Sequence, residues 1–465
     1  MINQNMGISV IVLAAGKGKR MRSSLPKILH SILGQPIISY ILESIKVISP
    51  QNTILVLGHG SNEVKKSLNY EQIDCVIQKK QLGTGHAVYT TRRKLRNFNG
   101  TIVIINGDSP LISPGTLKKF INSHEKTNSM LSILTADVRN PHGYGRVIRN
   151  SMGQVVRIIE EKDANANQTN INEINSGVYC VESRFLWKAL GQIDRSNDQK
   201  ELYLTDIVEI ASKGGKKVNV IVSKDSEEIL GINNRVELSR VEEIIRKRIN
   251  NKHMMSGVTI VKPEQTYISP QAYISSDTII FPNSFIYGNT KIGKGCKIGP
   301  MVWIEDSKIG KNTYIKFSSY ITDAEIGNNV TIGPFANIRP DSIILEGVRL
   351  GNFVEVKKSR IGRLTKVPHL SYIGDAKIGD RVNIGAGTIT CNYDGISKHE
   401  TIIDDDVFIG SDTMLVAPVK IGRGATTGAG STITKDVEDG ALAIERAEQM
   451  TIRNWKRKPR GKKGK

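Results

Sequence analysis

Two patterns of apolar residues divide this chain. Residues 7 to about 230 alternate short β-branched runs with segments of helical periodicity. Residues 8–13, 53–57 and 101–105 have the length and composition of buried strands, and an amphipathic helix is predicted to begin at Pro36. Strands that alternate with helices predict an α/β, Rossmann-like domain with a mixed, mostly parallel sheet that is covered on both faces.

From about residue 260 the pattern changes to a repeat. An aliphatic residue, often followed by Gly, returns every five or six positions, as in Ile292-Gly293, Ile298-Gly299 and Ile309-Gly310. This hexapeptide period predicts a left-handed parallel β-helix, in which each aliphatic side chain points into a narrow core and a small residue turns the corner. The period breaks over residues 391–408, which predicts a loop that projects from the coil.

A helical segment is predicted between these two regions, because Leu238, Val241, Ile245 and Ile249 recur at helical spacing. We therefore predict an α/β domain over residues 1–234 and a linker helix over residues 235–254. A β-helix domain with a basic C-terminal tail is predicted over residues 255–465.

Composition and charge restrict the function classes. The chain contains no apolar run long enough to span a bilayer, and its first residues carry no basic region, so we expect a cytoplasmic protein. The four cysteines are far apart and indicate neither a disulfide framework nor a zinc site. The net charge of +20 suits nucleotides, sugar phosphates and CoA as well as nucleic acid, and charge alone does not choose between them.

The first candidate site follows the first predicted strand. Residues 13–21 read Leu-Ala-Ala-Gly-Lys-Gly-Lys-Arg-Met, and Pro26-Lys27 comes shortly after. Glycines let backbone N–H groups approach a phosphate, and the basic side chains neutralise it. A plain glycine-rich turn would share the G-x-G, but the whole string resembles the activating loop of sugar-nucleotide pyrophosphorylases. A dinucleotide fingerprint or a Walker A loop would need residues that are absent here.

Two further segments fit a nucleotide site. Residues 78–87 offer an amide and small residues that expose the backbone, as base recognition needs, although His86 is expected to be structural. Asp108 lies just past a buried strand, where open α/β sheets place their ligands. It could hold Mg²⁺ on nucleotide phosphates, or it could simply cap the next helix.

With these motifs the chain resembles, over nearly its whole length, the bacterial bifunctional N-acetylglucosamine-1-phosphate uridyltransferase/glucosamine-1-phosphate acetyltransferase family. The resemblance implies that UTP and N-acetylglucosamine 1-phosphate react at the N-terminal site with Mg²⁺ and release pyrophosphate. The residues it implies for this site are Leu13, Ala14, Ala15, Gly16, Lys27, Gln78, Gly83, Thr84, Asp108, Gly145, Glu160, Asn175 and Asn233. In that family the loop glycines and Lys27 hold the triphosphate, and Gln78, Gly83 and Thr84 contact the uracil. Gly145, Glu160 and Asn175 hold the sugar, and Asp108 and Asn233 bind the metal.

A second set of polar residues lies in the repeat region, where a plain scaffold would not need them. Transfer of an acetyl group from a thioester to an amine needs a base, and His is the usual choice near neutral pH. The same resemblance implies that His369 is this base, in direct transfer without an acyl-enzyme. It assigns the sugar phosphate to Arg339, Lys357, Tyr372 and Asn383 and acetyl-CoA to Ala386, Asn392, Tyr393, Ser411, Ala429 and Arg446.

The resemblance also implies a homotrimer with sites between neighbouring coils, and a product that feeds bacterial envelope synthesis. Acetylation of glucosamine 1-phosphate would come first and uridylylation second. Two residues depart from the family pattern: Asn106 before Gly107-Asp108, and Pro368 before His369, which could shift the local backbone.

Two other hypotheses remain open from the residues. The coil could be a mere assembly module beside the N-terminal enzyme, or the chain could be a basic nucleic-acid-binding protein, although it contains no recognition motif. Cys391 directly precedes Asn392 and begins the predicted loop, so we expect it to be at least partly exposed. Nearby basic residues would favour its thiolate, and we expect it to be the most reactive of the four thiols.

Overall fold

The structure is a computed structural model that describes residues 7–68 and 73–456. Residues 457–465, which hold most of the predicted basic tail, and residues 1–6 lie outside the described residues. The chain divides into two compact units, Met1–Ile245 and Arg246–Lys465. No helix in the described ranges is long and apolar enough to cross a membrane.

The first unit is built on one mixed sheet of β-branched strands. The path runs β11-β7-β10-β6-β1-β4-β5, with β8 and β9 attached beside β10, and on this path only β10 runs antiparallel to its neighbours. The strands are β1 Ile8–Ala14, β2 Ser31–Ile32, β3 Gln35–Pro36, β4 Asn52–Leu57, β5 Asp74–Ile77, β6 Thr101–Asn106, β7 Leu131–Asp137, β8 Arg146–Arg149, β9 Val155–Ile159, β10 Glu173–Glu182 and β11 Asn219–Val222.

Helices cover both faces of this sheet, and the α/β prediction is confirmed. Alternate side chains of β1 enter opposite apolar layers: Ile11 packs in one and Val10 and Val12 in the other. The helices are α1 Ile37–Lys46, α2 Ser61–Ser67, α3 Thr84–Tyr89, α4 Pro114–Thr127, α5 Ala166–Thr169, α6 Ser183–Leu190, α7 Asp206–Lys213 and α8 Arg235–Met255. The division between the two units falls within α8.

The second unit is a coil whose short strands pass in turn through three parallel sheets. The first sheet contains β12 Thr259–Ile260, β15 Ile279–Ile280, β18 Lys297–Ile298, β21 Tyr314–Ile315, β24 Thr331–Ile332, β27 Arg349–Asn352, β30 Lys366–His369, β33 Asn383–Ile384, β36 Phe408–Ile409, β39 Thr426–Thr427 and β41 Leu442–Ala443. The second contains β13 Thr266–Ile268, β16 Ser284–Tyr287, β19 Trp303–Glu305, β22 Tyr320–Thr322, β25 Asn337–Ile338, β28 Glu355–Lys357, β31 Tyr372–Gly374, β34 Ile389–Cys391, β37 Met414–Val416 and β40 Thr432–Ile433. The third contains β14 Tyr273–Ile274, β17 Lys291–Ile292, β20 Lys308–Ile309, β23 Ala324–Ile326, β26 Ser342–Ile344, β29 Arg360–Ile361, β32 Ala376–Ile378, β35 Thr401–Ile403 and β38 Val419–Ile421.

One aliphatic side chain of nearly every strand points into the coil, and together these side chains form one continuous core. Ile298, Ile315 and Ile332 follow one another along the first sheet and are fully buried. The hexapeptide period therefore arises because each strand contributes one aliphatic side chain to this stack, and the predicted β-helix class is confirmed.

The interruption of the coil is shorter than the sequence predicts. Residues 392–400 leave the sheets, but Thr401–Ile403 and Phe408–Ile409 already pair with strands of the preceding turn, β32 and β33. The prediction of a loop over residues 391–408 was therefore wrong at both ends. Thr401 and Phe408 belong to the coil because their strands continue its aliphatic core through Ile403 and Ile409.

Candidate active sites

The first site lies where β1 and β6 end. These strands run parallel with Leu13 beside Asn106, and the Gly107 N–H donates to the Leu13 carbonyl at 2.8 Å. The loops that follow therefore meet at one edge of the sheet, as expected for ligand sites in open α/β folds. A cavity of about 220 Å³ opens there, lined by Leu13, Arg20, Thr84, Asn106, Asp108, Ser109, Gly143, Tyr144, Gly145, Glu160, Asn175, Ser176, Gly177, Tyr179, Leu204, Thr205, Ile229, Gly231 and Asn233.

Three predicted residues meet at the edge of this cavity. The Lys27 ammonium group forms a short ion pair with the Asp108 carboxylate and lies 3.5 Å from the Asn233 Oδ1 atom. A smaller adjoining cavity of about 50 Å³ is lined by Leu13, Ala14, Gly16, Pro26, Lys27, Ile28, His59 and Asp108. The structure thus brings the glycine-rich loop, the lysine and the two predicted metal ligands together.

The alternative role of Asp108 as a helix cap is wrong. The next helix, α4, begins several residues later, and its cap is Ser113, whose hydroxyl accepts from the Thr116 N–H at 3.1 Å. Asp108 keeps its carboxylate on Lys27 and in the cavity wall instead.

The same cavity is lined by the predicted sugar residues. The Thr205 hydroxyl donates to Glu160 Oε1 at 3.3 Å, and the Asn175 amide donates to the Tyr179 hydroxyl at 2.7 Å. Burial raises the pKa of the Glu160 carboxyl, and the hydrogen bond from Thr205 partly opposes this effect. Gly145 lies beside Glu160, and its carbonyl accepts a hydrogen bond from the Asn175 N–H at 2.9 Å.

The loop of residues 78–87, which is predicted to bind the base, is held by contacts within the loop and by backbone hydrogen bonds with Leu202. Gln78 is buried, and its amide donates to the Gly83 carbonyl at 3.1 Å and lies 2.9 Å from the His86 ring nitrogen. Gln81, which the sequence did not single out, donates to the Ala15 carbonyl and ties this loop to the glycine-rich loop. Of the three predicted uracil contacts, only Thr84 lines the main cavity, so the structure does not bring Gln78 and Gly83 into its wall.

Asn106, which departs from the family pattern, lies in the cavity wall against a glycine. A Cβ atom added to Gly177 would lie 2.1 Å from the Asn106 Nδ2 atom, and Gly177 has a φ of +75°. The Asn106 amide therefore occupies space that only a glycine at position 177 leaves free.

The second site follows one corner of the coil. The pairing of β30, β33, β36 and β39 places Ala386, Ser411 and Ala429 level with His369 on successive turns of the chain. The Asp412 N–H donates to the Ala386 carbonyl at 2.6 Å and the Gly430 N–H to the Ser411 carbonyl at 2.8 Å, as this register requires. We call these four residues the corner column. If the pairing of β39 with β41 is continued in the same register, Arg446 lies one residue beyond the next position of this column.

Pro368 does not displace His369 from this corner. β30 continues through Pro368, and His369 still pairs with Asn352 of β27. The His369 side chain is exposed, and its Nδ1 atom lies 2.6 Å from the Asn352 Oδ1 atom.

The predicted phosphate ligands lie along the second sheet, beyond this corner. The Arg339 guanidinium pairs with Glu355 at 2.8 Å. Lys357 contacts Lys398, and this neighbouring ammonium group lowers the pKa of Lys398. Because two ammonium groups this close repel each other, the pair favours an anion between them.

Asn383 lies on the other side of the corner. It belongs to the first sheet, where it pairs with Lys366, whereas Tyr372 belongs to the second sheet. Tyr372 is packed over Gly374, since a Cβ atom there would lie 2.4 Å from the Tyr372 hydroxyl. The predicted sugar-phosphate residues are thus divided between two faces of a convex coil.

The loop of residues 392–400 stands beside Tyr372. Its Asn392 amide donates to the Asp375 carboxylate and lies 3.5 Å from the Tyr372 hydroxyl. Tyr393 is 60% exposed and pairs with Lys398 across the loop. The loop therefore presents Asn392, Tyr393 and Lys398 together.

Cys391 is partly exposed, as predicted, but the expectation that basic neighbours favour its thiolate was wrong. Cys391 is the last residue of β34 and is half-buried, and burial raises the pKa of its thiol. A raised pKa leaves less thiolate near neutral pH, so this cysteine is not activated by its basic neighbours.

Models of known protein families match segments in both units of the chain. The nucleotidyl transferase family model matches residues 9–251, the GMPPB C-terminal domain model matches residues 263–361, and the bacterial transferase hexapeptide model matches residues 400–435.

Curated relatives match the whole chain. The bifunctional protein GlmU of Pelobacter propionicus is 45% identical over 97% of this chain and 98% of its own length. The proteins of the same name from Syntrophotalea carbinolica and Syntrophomonas wolfei are 44% and 46% identical and cover 97% and 96% of the chain and 97% and 99% of their own lengths. The chain belongs to the GlmU family. As a member of this family it is a bifunctional enzyme with a uridylyltransferase and an acetyltransferase activity, which confirms the sequence prediction and contradicts the hypotheses of an inert coil and of a nucleic-acid-binding protein.

A solved structure, of a UDP-glucose pyrophosphorylase complexed with UDP-glucose, is 18% identical, with a TM-score of 0.45 over 52% of this chain and 100% of that chain.

Three residues of this GlmU-family enzyme take positions that the sequence did not assign. Asn352 contacts His369, Lys398 contacts Lys357, and Thr205 contacts Glu160. No signal in the sequence indicated the roles of Asn352 and Lys398, because their contacts join residues that are 17 and 41 positions apart. Thr205 and its partner Glu160 are 45 positions apart, so the sequence did not show this contact.

Proposed function

We propose that the first unit catalyses attack by a phosphate oxygen of N-acetylglucosamine 1-phosphate on the α-phosphorus of UTP. The new bond joins this oxygen to phosphorus, and the bond to pyrophosphate breaks. The observation that carries the proposal is the convergence of Lys27, Asp108 and Asn233 at the edge of a cavity that Glu160 and Asn175 also line. Phosphates would bind near Lys27 and Asp108, and the sugar near Glu160 and Asn175.

Positioning and charge neutralisation would supply most of the rate. The backbone of residues 13–16 and the Lys27 ammonium group would hold the triphosphate, and the Arg20 side chain also reaches the cavity. Thr84 would contact the uracil from the same wall, with Gln78 and Gly83 fixing the shape of that loop. Glu160, Asn175 and Gly145 would orient the sugar hydroxyl and acetamido groups.

The residues at this edge fit Mg²⁺. Asp108 and Asn233 offer a carboxylate and an amide oxygen, which are ligands that Mg²⁺ prefers, and both oxygens point at one cation, the Lys27 ammonium group. When bound, Mg²⁺ would neutralise charge on the phosphates. We propose that Asp108 and Asn233 hold it and that the substrate and water complete its coordination.

We propose that the coil acetylates glucosamine 1-phosphate and that His369 takes the proton. The neutral amine of the sugar attacks the acetyl carbonyl carbon, His369 Nε2 accepts the amine proton, and the carbon–sulfur bond breaks to release CoA. Arg339, Lys357 and Lys398 would hold the phosphate, and Tyr372 and Asn383 the sugar. The observation that supports this assignment is the cation pair of Lys357 and Lys398 next to Tyr372.

Acetyl-CoA would lie along the corner column. Ala386, Ser411 and Ala429 have small side chains, which leaves room for an extended thioester to run along the coil from His369 towards Arg446. Asn392 and Tyr393 of the projecting loop would cover its acetyl end.

We propose that the enzyme is a homotrimer. Asn383 and Tyr372 lie in different sheets, on the two sides of a convex corner, and faces of two neighbouring coils could bring them together on one sugar. An exposed apolar ridge also runs along this corner of the coil, and such ridges mark interfaces. The ridge consists of Met301, Phe317, Phe335, Phe353 and Leu370, which are 40–60% exposed.

We further propose the cytoplasm as the location, since UTP and acetyl-CoA are made there. Residues 1–234 would form the uridyltransferase domain, residues 235–254 the linker helix, and residues 255–465 the acetyltransferase domain.

A reciprocal pair of variants tests this assignment. His369→Ala should abolish CoA release from acetyl-CoA and glucosamine 1-phosphate and leave pyrophosphate release from UTP and N-acetylglucosamine 1-phosphate unchanged. Asp108→Asn should do the reverse, with a loss of at least about 100-fold in pyrophosphate release, as expected when electrostatic stabilisation is removed. Loss of both activities in either folded variant would contradict the separate sites.

A further inference from the structure

We propose that Asn352 is a positioning residue for acetyl transfer: its side-chain oxygen accepts a hydrogen bond from the Nδ1–H group of His369 and leaves Nε2 free to act as the base. The inference rests on the proposed role of His369. It adds a residue that contacts neither substrate and acts only through the imidazole ring.

The geometry holds the two side chains in register. Asn352 and His369 are paired residues of β27 and β30, and the Leu370 N–H donates to the Asn352 carbonyl at 3.0 Å. The buried Ser371 hydroxyl donates to the His369 carbonyl at 2.8 Å. Both backbones are therefore fixed, and the 2.6 Å contact between Asn352 Oδ1 and His369 Nδ1 sets the orientation of the ring.

The two strands approach as closely as their backbones allow at this point. A Cβ atom added to Gly351 would lie 1.7 Å from the Pro368 carbonyl oxygen. Only glycine fits there, so the residues that immediately follow, Asn352 and His369, are held side by side on neighbouring strands.

The chemical consequence concerns the tautomer of the neutral ring. A neutral imidazole carries one proton, and the hydrogen bond made by one nitrogen decides which nitrogen carries it. An oxygen that faces Nδ1 can only accept a hydrogen bond from it. This favours the Nδ1–H form of the ring, in which Nε2 has a free lone pair. Without this acceptor some neutral rings would carry the proton on Nε2 and could not take a proton from the amine.

A purely structural role for Asn352 would give a different result. If the amide only joined two turns of the coil, its loss would lower stability or raise the substrate KM values. The tautomer role instead lowers kcat at unchanged KM, because the ring still occupies its place but is less often in its active form.

The test compares Asn352→Leu, which has a similar size but no acceptor, with Asn352→Asp, which keeps an oxygen. We expect Asn352→Leu to lower kcat for acetyl transfer by about 10- to 100-fold, the loss seen when metal-bound histidines lose the partner that fixes their tautomer, with both KM values within about twofold. Asn352→Asp should recover most of the activity at high pH. Its acid limb should move to higher pH, because a carboxylate raises the pKa of a neighbouring imidazole.

A direct measurement keeps the inference testable even if a variant fails to fold. In ¹⁵N spectra of the unsubstituted enzyme with labelled histidine, the His369 signal, assigned by its loss in His369→Ala, should show the Nδ1–H form. A proton on Nε2, or an Asn352→Leu enzyme with unchanged kcat, would overturn the inference alone. An active His369→Ala enzyme would overturn the proposed base and the inference with it. Light scattering and circular dichroism that match those of the unsubstituted enzyme serve as the control for folding of the coil, because uridylyl transfer belongs to the other unit.

Discussion

At the scale of single residues, the protonation of Glu160 depends on its surroundings. Burial raises the pKa of its carboxyl, and the Thr205 hydroxyl donates to it at 3.3 Å. If the charged carboxylate accepts hydrogen bonds from the sugar, kcat/KM for N-acetylglucosamine 1-phosphate falls as the pH drops through this raised pKa.

Substitution of Thr205 should shift the pH at which kcat/KM for N-acetylglucosamine 1-phosphate falls. The hydroxyl stabilises the charged carboxylate, so Thr205→Val should raise the pKa of Glu160 further. A bond to a charged group contributes about 1.5 kcal/mol, which corresponds to an upward shift of about one pH unit in the acid limb of kcat/KM. Thr205→Ser, which keeps the hydroxyl, is the matched control. A Val variant that is slower by the same factor at every pH would contradict this role.

Residue roles were only partly predictable from the sequence. Asp108 was assigned by its place after a buried strand, and the structure adds its contact with Lys27. Asn352 was missed because coil register joins it to His369, and Lys398 was missed because the projecting loop brings it to Lys357; a single sequence displays neither contact. The raised pKa of Cys391 was also missed, because burial depends on packing.

At the scale of elements, the loop of residues 392–400 is the least regular part of the second site. Asp394 fastens it by accepting from the Ser397 and Ile396 N–H groups at 2.7 and 2.8 Å and from His399 at 2.6 Å. The Ser397 N–H, His399 and the Ile396 N–H hold the pKa of the Asp394 carboxyl well below its ordinary value. The carboxylate therefore stays charged throughout the working pH range.

Removal of this carboxylate should loosen the loop. We expect Asp394→Ala to raise KM for glucosamine 1-phosphate several-fold, because the loop carries Lys398, and to speed proteolysis within residues 392–400. Asp436→Ala removes a similar contact, to the Lys420 N–H at 2.8 Å, on another turn of the coil and is the matched control. Equal KM changes in the two variants would show that the loop contacts are not specific to the site.

Elements were more predictable than residues. Apolar periodicity located β1, β4, β6, α1 and α8 within one to three residues at most ends. The same periodicity located the aliphatic core of the coil, since each inward position must be apolar. It overestimated the projecting loop, because Thr401–Ile403 returns to the third sheet before the aliphatic-glycine pairs resume at Ile409-Gly410.

At the scale of the whole molecule, the two units should work independently. A fragment of residues 1–252 contains all the proposed uridyltransferase residues and ends inside α8. It should keep pyrophosphate release at a rate close to that of the full chain and be monomeric, because the ridge that we propose as the interface belongs to the coil. Light scattering that shows a trimeric fragment would contradict this assignment.

The central claim is that one chain performs both reactions in sequence. The most direct measurement supplies the full-length enzyme with glucosamine 1-phosphate, acetyl-CoA, UTP and Mg²⁺ and follows the nucleotide sugar, CoA and pyrophosphate together. We predict that UDP-N-acetylglucosamine forms, that one CoA and one pyrophosphate are released for each molecule of it, and that omission of acetyl-CoA stops all three products. Formation of UDP-glucosamine without CoA release, or of CoA without any nucleotide sugar, would contradict the account.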